Sequence, residues 1–325
     1  MKRREFVTLV CSLVAAWPLV GRAQPKPHRI GILATTSAAT TRSALSAFLE
    51  GMSQFGYALG SNIELVERYA DGEIADLPVL ASELIAAKVD VMVVSSRPAI
   101  AAAQRATKDI PIVMTAVGDP VEAGFVASLA RPGGSITGLS NIAPELSGKR
   151  LEILKEVIPD LKRVAIVRNP SIATFAPMWQ ETERVAASLG ITAVPVDIVD
   201  PAGIEPAFAS MVKNQVQAAV FLSDAVTASQ APRITGLAAK ERLPVMYPLN
   251  EFMKAGGLLM YGPDSIDLWR RGAYFVDRII KGTSPADLPV QQPTRFELIV
   301  NLRTAKALGL SIPSTLLARA DEVIE

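Results

Sequence analysis

The chain has 325 residues, long enough for two domains of ordinary size, with half of them hydrophobic and a fifth charged. A formal charge of +1 leaves no basic footprint for nucleic acid. A single histidine and a single cysteine weigh against zinc sites and against Ser-His-Asp catalysis.

The first residues read as an export signal. Lys2, Arg3 and Arg4 form a positive start, Phe6 to Val20 an apolar run, and Gly21-Arg22-Ala23 the small residues that a signal peptidase reads. The run is shorter than the ~20 residues that a membrane span requires. Cleavage is expected after Ala23. The Arg3-Arg4 pair resembles a twin-arginine pattern, so Sec and Tat export both stay open. Cys11 lies inside the apolar run and not after it, so no lipid anchor is expected. The exported chain would then hold no cysteine, hence no disulfide and no thiolate chemistry. It would carry 29 basic and 31 acidic residues. His28, just before the first strand, reads as a solvated terminal side chain.

Downstream, short β-branched runs alternate with stretches of 3.6-residue period. Strands are expected over 28–34, 62–69, 90–95 and 111–117. Helices are expected over 42–55, 76–88 and 99–106. Leu45, Phe48, Leu49, Met52 and Phe55 share one face of the first, and Gly56 stops it. Strands this apolar, alternating with helices, predict a parallel sheet covered on both faces. Arg131 to Ser140 then supplies a Pro-Gly-Gly turn and a strand from Ile136 to Asn141 that leaves this lobe.

The pattern repeats in the second half. Lys162 to Arg168 echoes His28 to Ala34, Gln217 to Ser223 echoes Asp90 to Ser96, and Glu241 to Tyr247 echoes Lys108 to Met114. An offset of 133 to 134 residues means two similar α/β lobes and not a solenoid of short units. Residues 24–141 are expected as the first lobe and 142–263 as the second. A helix over 265–281 would return to the first lobe, and the Pro-rich stretch Thr283 to Pro293 reads as an extended surface connection. The placement of 296–325 stays open.

Gly133 to Ser140 has P-loop glycine spacing, but Leu139 replaces the phosphate-reaching lysine and a strand follows where a P-loop opens a helix. It reads as a hinge turn. The strand ends carry more chemistry. Thr35, Thr36 and Ser37, then Ser95 and Ser96, then Asp119, follow strands of the first half; Asn169 and Asp224 occupy matching places in the second. In open α/β sheets ligands bind beyond the carboxyl ends of strands, where helix N-termini offer free N–H groups. Each of these side chains also suits a helix cap, and both readings stand.

The segments "ARPGGSITGLSN", "VRNPS", "LPVMYPLNEFMKAGGLLMYGPD" and "NLRTAKALGLSIP" resemble the solute-binding proteins of ABC transporters, tryptophan/tyrosine-type group. The resemblance runs from Pro27 to Glu325. It implies a type I periplasmic-binding-protein fold, two doubly wound α/β lobes joined by three hinge crossings and closing on a ligand. It also implies a periplasmic location, one small organic ligand such as an amino acid or related carboxylate, an ABC permease as partner, no cofactor and a monomeric chain. By position, Thr35–Ser37 and Ser95–Ser96 resemble the ligand-facing loops of lobe 1. Many relatives have a Gly/Ala/Thr-rich turn where this chain has Ser-Ser-Arg-Pro. Asn169 and Asp224 face them from lobe 2, with Asp224 placed for an ammonium group, and Tyr247 and Tyr261 are candidates to stack on the ligand. Trp179 falls on an apolar stripe and reads as core. A serine-dependent enzyme is disfavoured by the lack of a base beside Ser95 and Ser96, while a sensor module docking on a membrane receptor stays an alternative.

Overall fold

The computed structural model describes residues 26–141, 146–170, 175–222 and 225–325. The expected export signal and Asp224 lie outside the described residues. The first half runs β1 (His28–Ala34), α1 (Ala38–Gln54), β2 (Ile63–Tyr69), α2 (Leu77–Ala86), β3 (Val91–Val94), α3 (Arg97–Ala106), β4 (Ile112–Val117) and β5 (Ile136–Ser140). The second runs α4 (Leu146–Val157), β6 (Arg163–Arg168), α5 (Phe175–Ser188), β7 (Thr192–Asp197), α6 (Ile204–Lys213), β8 (Ala218–Phe221), α7 (Ala225–Ser229), α8 (Ala231–Lys240), β9 (Val245–Tyr247), α9 (Asn250–Lys254) and β10 (Leu259–Pro263). Then come α10 (Ser265–Ile280), β11 (Phe296–Asn301), α11 (Leu302–Leu308), α12 (Ser314–Leu317) and β12 (Glu322–Ile324).

Two sheets result, ordered β2-β1-β3-β4-β5 and β12-β11-β10-β9-β8-β6-β7. Counted from β7 to β10, the second repeats the first strand for strand. The sequence echoes therefore mark equivalent strands, and the equivalence extends to single residues. Asp90 accepts from the Arg29 amide at 2.7 Å. Its counterpart Gln217 accepts from the Lys162 and Arg163 amides at 2.6 and 3.1 Å. Lys88 and Gln215, each two residues earlier, both take a left-handed turn, with φ of 55° and 53°.

Each sheet is covered on both faces, as its unbroken apolar strands require. In the first, α2 and α3 bury Leu84, Ile100 and Ala103 on one side. On the other side α1 and α10 bury Phe48, Met52, Leu268 and Trp269. In the second, α4, α5, α11 and α12 cover one face and α6, α8 and α9 the other. Helix α10 follows β10 of the second sheet yet packs on the first. Burying Leu268, Trp269, Phe275 and Val276 there contributes about 1.5–3 kcal/mol per side chain, which favours the return.

The chain thus passes between the sheets three times: from β5 to α4, from β10 to α10, and from α10 to β11. The crossings are tied together. The Gln291 amide donates to Gly138 O at 3.0 Å, the Ser140 amide to Gln291 O at 2.9 Å and the Asp264 amide to Arg295 O at 3.1 Å. Arg271 Nη2 donates to Gln291 Oε1 at 2.8 Å.

Three expectations change. Gly133 to Ser140 is not a hinge: the Pro-Gly-Gly turn enters β5, which pairs in parallel with β4, and the crossing comes only after Ser140. The Pro-rich connection is not merely superficial. It runs along β5, burying Leu288 and Val290, while the Thr137 hydroxyl donates to Leu288 O at 2.6 Å; prolines, lacking N–H groups, keep it from completing a strand. The second sheet is not purely parallel. Strand β11 pairs antiparallel to β10, Pro263 opposite Phe296, because the third crossing brings the chain back at the carboxyl end of β10.

Candidate functional site

On the first lobe the carboxyl ends of β1, β3 and β4 bring together three of the predicted loops. Ser37 caps α1, its hydroxyl accepting from the Thr40 amide at 3.2 Å. Thr36 Oγ1 lies 2.9 Å from Thr41 Oγ1. The Thr35 carbonyl accepts from the Gly72 amide at 2.8 Å, and its side chain is half-buried. Asp119 accepts from the amides of Val121 and Glu122 at 2.9 and 3.1 Å. Ser37 thus serves as a helix cap, while Asp119 Oδ1 closes the turn that follows β4.

Ser96 is different. It stands at the N-cap position of α3 but makes no capping hydrogen bond. Its φ of 78° with ψ of 146° is a region that L side chains rarely occupy, at a cost of about 1–3 kcal/mol. Its hydroxyl is buried with no hydrogen-bond partner, which costs about 1–3 kcal/mol more. Strain of this kind persists where the surroundings over-determine it. Here Pro98 stiffens the first turn of α3, the Ser95 amide reaches Leu33 O at 3.4 Å, and Arg97 Nη1 is paired with Glu122 Oε2 at 2.9 Å across the β3 and β4 loops.

On the second lobe Asn169 follows β6 and is buried, 5% exposed. The preceding Arg168 reaches Asp197 Oδ1 at 2.9 Å and lies 4.9 Å over the Trp179 ring, which packs on the core as the apolar stripe predicted. Tyr247 is a correction. It is 1% exposed and stacked on Phe252 at 4.6 Å, with Phe221 at 5.7 Å. Alternation along β9 turns its ring into the core under α8 and α9, so it cannot stack on a ligand, and burial pushes its phenol pKa up. Tyr261 is half-buried, its ring 6.2 Å from Phe296 and packed towards α4 and α5.

Sequence reasoning passed over Arg150 and Ser147. Arg150 is 2% exposed and donates Nε–H to the Tyr261 carbonyl at 2.7 Å. Burial lowers its pKa to about 10, with Tyr261 acting in the opposite sense, so it stays cationic at neutral pH. The signal was available: an arginine on the same helical face as Leu146, Leu151 and Leu154 breaks an apolar stripe. A cavity of about 200 Å³, lined by Phe208, Met211, Val212, Val216, Glu241 and Leu243, opens at the amino ends of β8 and β9, away from the loops described above. Among the described residues no group of three or more His, Cys, Asp or Glu is placed to hold a metal. No helix among them is long and apolar enough to cross a membrane.

Residues 29–324 match the family model described as ABC transporter substrate binding protein. The chain belongs to that family. Substrate-binding proteins of ABC transporters are binding proteins rather than enzymes; they take small molecules and work with ABC permeases. A tyrosine-binding protein of Clostridioides difficile (strain R20291) is 28% identical over 285 residues, covering 88% of this chain and 82% of that one. An ABC domain from Streptococcus pneumonia, solved in complex with L-Trp, superposes with a TM-score of 0.79 at 25% identity, covering 92% of this chain and 100% of that one. A conserved domain protein of Vibrio cholerae gives 0.78 at 28% identity over the same shares. These neighbours share the type I periplasmic-binding-protein fold, as the resemblance implied.

Proposed function

We propose that this protein is the periplasmic solute-binding component of an ABC importer. It works as a monomer that carries an amino acid or related carboxylate, of the aromatic class, to its permease. The carrying observation is the pair of matching sheets, tied at three crossings, with one strand-end hydroxyl, Ser96, buried and unpartnered. The tyrosine-binding and L-Trp-bound relatives support the aromatic class. The lobes would close on the ligand by rotation about the crossings, and no bond is made or broken. Thr35, Thr36, Ser95 and Ser96 would line one wall and Asn169 the other, and Asp224 would receive the ammonium group.

Thermal unfolding of the exported chain tests this. A ligand that binds only the folded state adds about 2.7 kcal/mol at a hundred times its Kd. L-Tyrosine or L-tryptophan should raise the Tm by several degrees. No shift from either, at millimolar concentration, would sink the aromatic amino-acid reading.

Ser96 provides a sharper test of the lobe 1 wall. Ser96→Gly relieves the backbone strain and deletes the orphan hydroxyl, so it should stabilise the free protein by about 1 kcal/mol. The same substitution should weaken ligand binding by about 10-fold, the worth of one hydrogen bond. Ser96→Ala should weaken binding similarly but recover only the part of the stability lost to the orphan hydroxyl, since the backbone strain stays. Unfolding curves and calorimetric titration separate the two effects; unchanged affinity in both variants would remove Ser96 from the site.

A further inference from the structure

Arg150 is the one buried basic side chain among the described residues. Among the described residues only its Nε–H is used, by the Tyr261 carbonyl, no Asp or Glu pairs with it, and Tyr261 is its one electrostatic neighbour. A guanidinium held out of water without a counter-charge is strongly unfavourable. One turn earlier on the same helical face, Ser147 is 0% exposed and its hydroxyl has no partner. Arg150, whose Nη groups have no hydrogen-bond partner among the described residues, and the unpartnered Ser147 hydroxyl thus stand one turn apart on one face of α4, near its N-terminus, where the helix dipole adds partial positive charge. The other cations at the strand ends are engaged: Arg97 by Glu122 and Arg168 by Asp197.

The location fits a ligand held between lobes. Helix α4 begins five residues after Asn141, whose amide is bonded to Val117 O of the first sheet at 2.7 Å. Tyr261 stands two residues before Pro263, where β10 ends and the second crossing begins. Arg150 therefore sits at the floor of the second lobe beside two of the three crossings.

We infer that Arg150, together with Ser147, binds the carboxylate of the ligand from the second lobe. The inference rests on the crevice being the ligand site, and it adds the group that discriminates acids from neutral analogues. A guanidinium fork matches a carboxylate bidentately, which a lysine cannot reproduce. The competing role is structural, with Arg150 serving only to hold α4 on β10 through the Tyr261 carbonyl.

Calorimetric titration of the full exported chain with three acid and amide pairs decides between them: L-tyrosine and L-tyrosinamide, L-tryptophan and L-tryptophanamide, benzoate and benzamide. The wild type should prefer the acid. Arg150→Met should weaken the acid about 10- to 100-fold and leave the amide nearly unchanged. Arg150→Lys, which keeps the charge and the fold if the methionine variant does not fold, should lose part of that preference. Ser147→Ala should lose a smaller part. Equal losses for acid and amide in either Arg150 variant, or a wild type that takes both members of each pair alike, would overturn the inference and leave the crevice reading standing. Arginine-dependent binding of benzoate with no response to either amino acid would support the inference and overturn the aromatic amino-acid reading. A wild type that takes none of the six overturns both.

Discussion

Gly51→Ala is expected to lower the unfolding free energy by about 3 kcal/mol, the upper end of the usual cost of overpacking. Gly51 lies on α1 where that helix crosses α10. A Cβ there would collide with the Arg270 carbonyl oxygen and stand 2.9 Å from Ala273 Cβ. A backbone oxygen cannot swing aside as a side-chain tip can, so the two helices must separate. Glu50 and Arg270, paired at 3.1 Å beside the contact, would be pulled apart as well. The effect concerns more than stability, because α10 is the segment that returns from the second sheet to the first. Gly236→Ala is the matched control. It lies in α8 with nothing within 4 Å of an added Cβ, and should stabilise by about 0.5–1 kcal/mol. Urea unfolding of both variants checks the contrast; a Gly51→Ala change below about 0.5 kcal/mol, the scatter of surface substitutions, would show that the helices are not packed as described.

Stability is expected to fall between about pH 5 and pH 8 through one carboxyl group. Glu297, on β11 just after the third crossing, has its pKa raised to about 7. Burial is the largest cause, followed by Asp264, with Asp321 and Glu322 adding to it. Asp264 caps α10, accepting from the Asp267 amide at 2.8 Å, and its other oxygen faces Arg295 Nε at 3.9 Å. Asp321 accepts from the Leu298 amide at 2.8 Å. The folded pKa exceeds the unfolded one, so the folded state binds more protons. Stability from this group is therefore present below the ordinary carboxylate range and lost as pH rises through about 7. Glu297 is half-buried, and solvent screening reduces its contribution to about 1–2 kcal/mol. Glu297→Gln, neutral at every pH and able to donate to Asp264, should flatten the profile and exceed the wild type in stability at pH 8. A variant whose Tm tracks the wild type from pH 5 to 8 would exclude Glu297 as the source.

Much of this fold was legible because it is built twice. A strand buried on both faces announces itself as an apolar run, and Ile30 and Val164, or Pro111 and Pro244, announce equivalent places in two sheets at one offset. The parts that were not legible lack a local cause. Nothing in "FELIVN" separates a parallel strand from an antiparallel one; its direction follows from the side on which the third crossing returns. Tyr247 reads equally well as a ligand contact or as core, because one residue of strand phase decides which face it meets.

The candidate site divides the same way. Sequence alone determined the α/β class and the repeat, which follow from periodicity, while the resemblance of particular segments pointed to the family. Only the tertiary structure decided which polar groups in the strand-end loops are already satisfied. Ser37 Oγ and Asp119 Oδ1 accept from neighbouring amides, whereas Ser96 is left strained and unpaired, and Arg150 is buried with no carboxylate paired to it among the described residues. Hydrogen-bond satisfaction and counter-charge depend on groups brought together from distant parts of the chain, as Tyr261 is to Arg150 across 111 positions, and no local pattern encodes them.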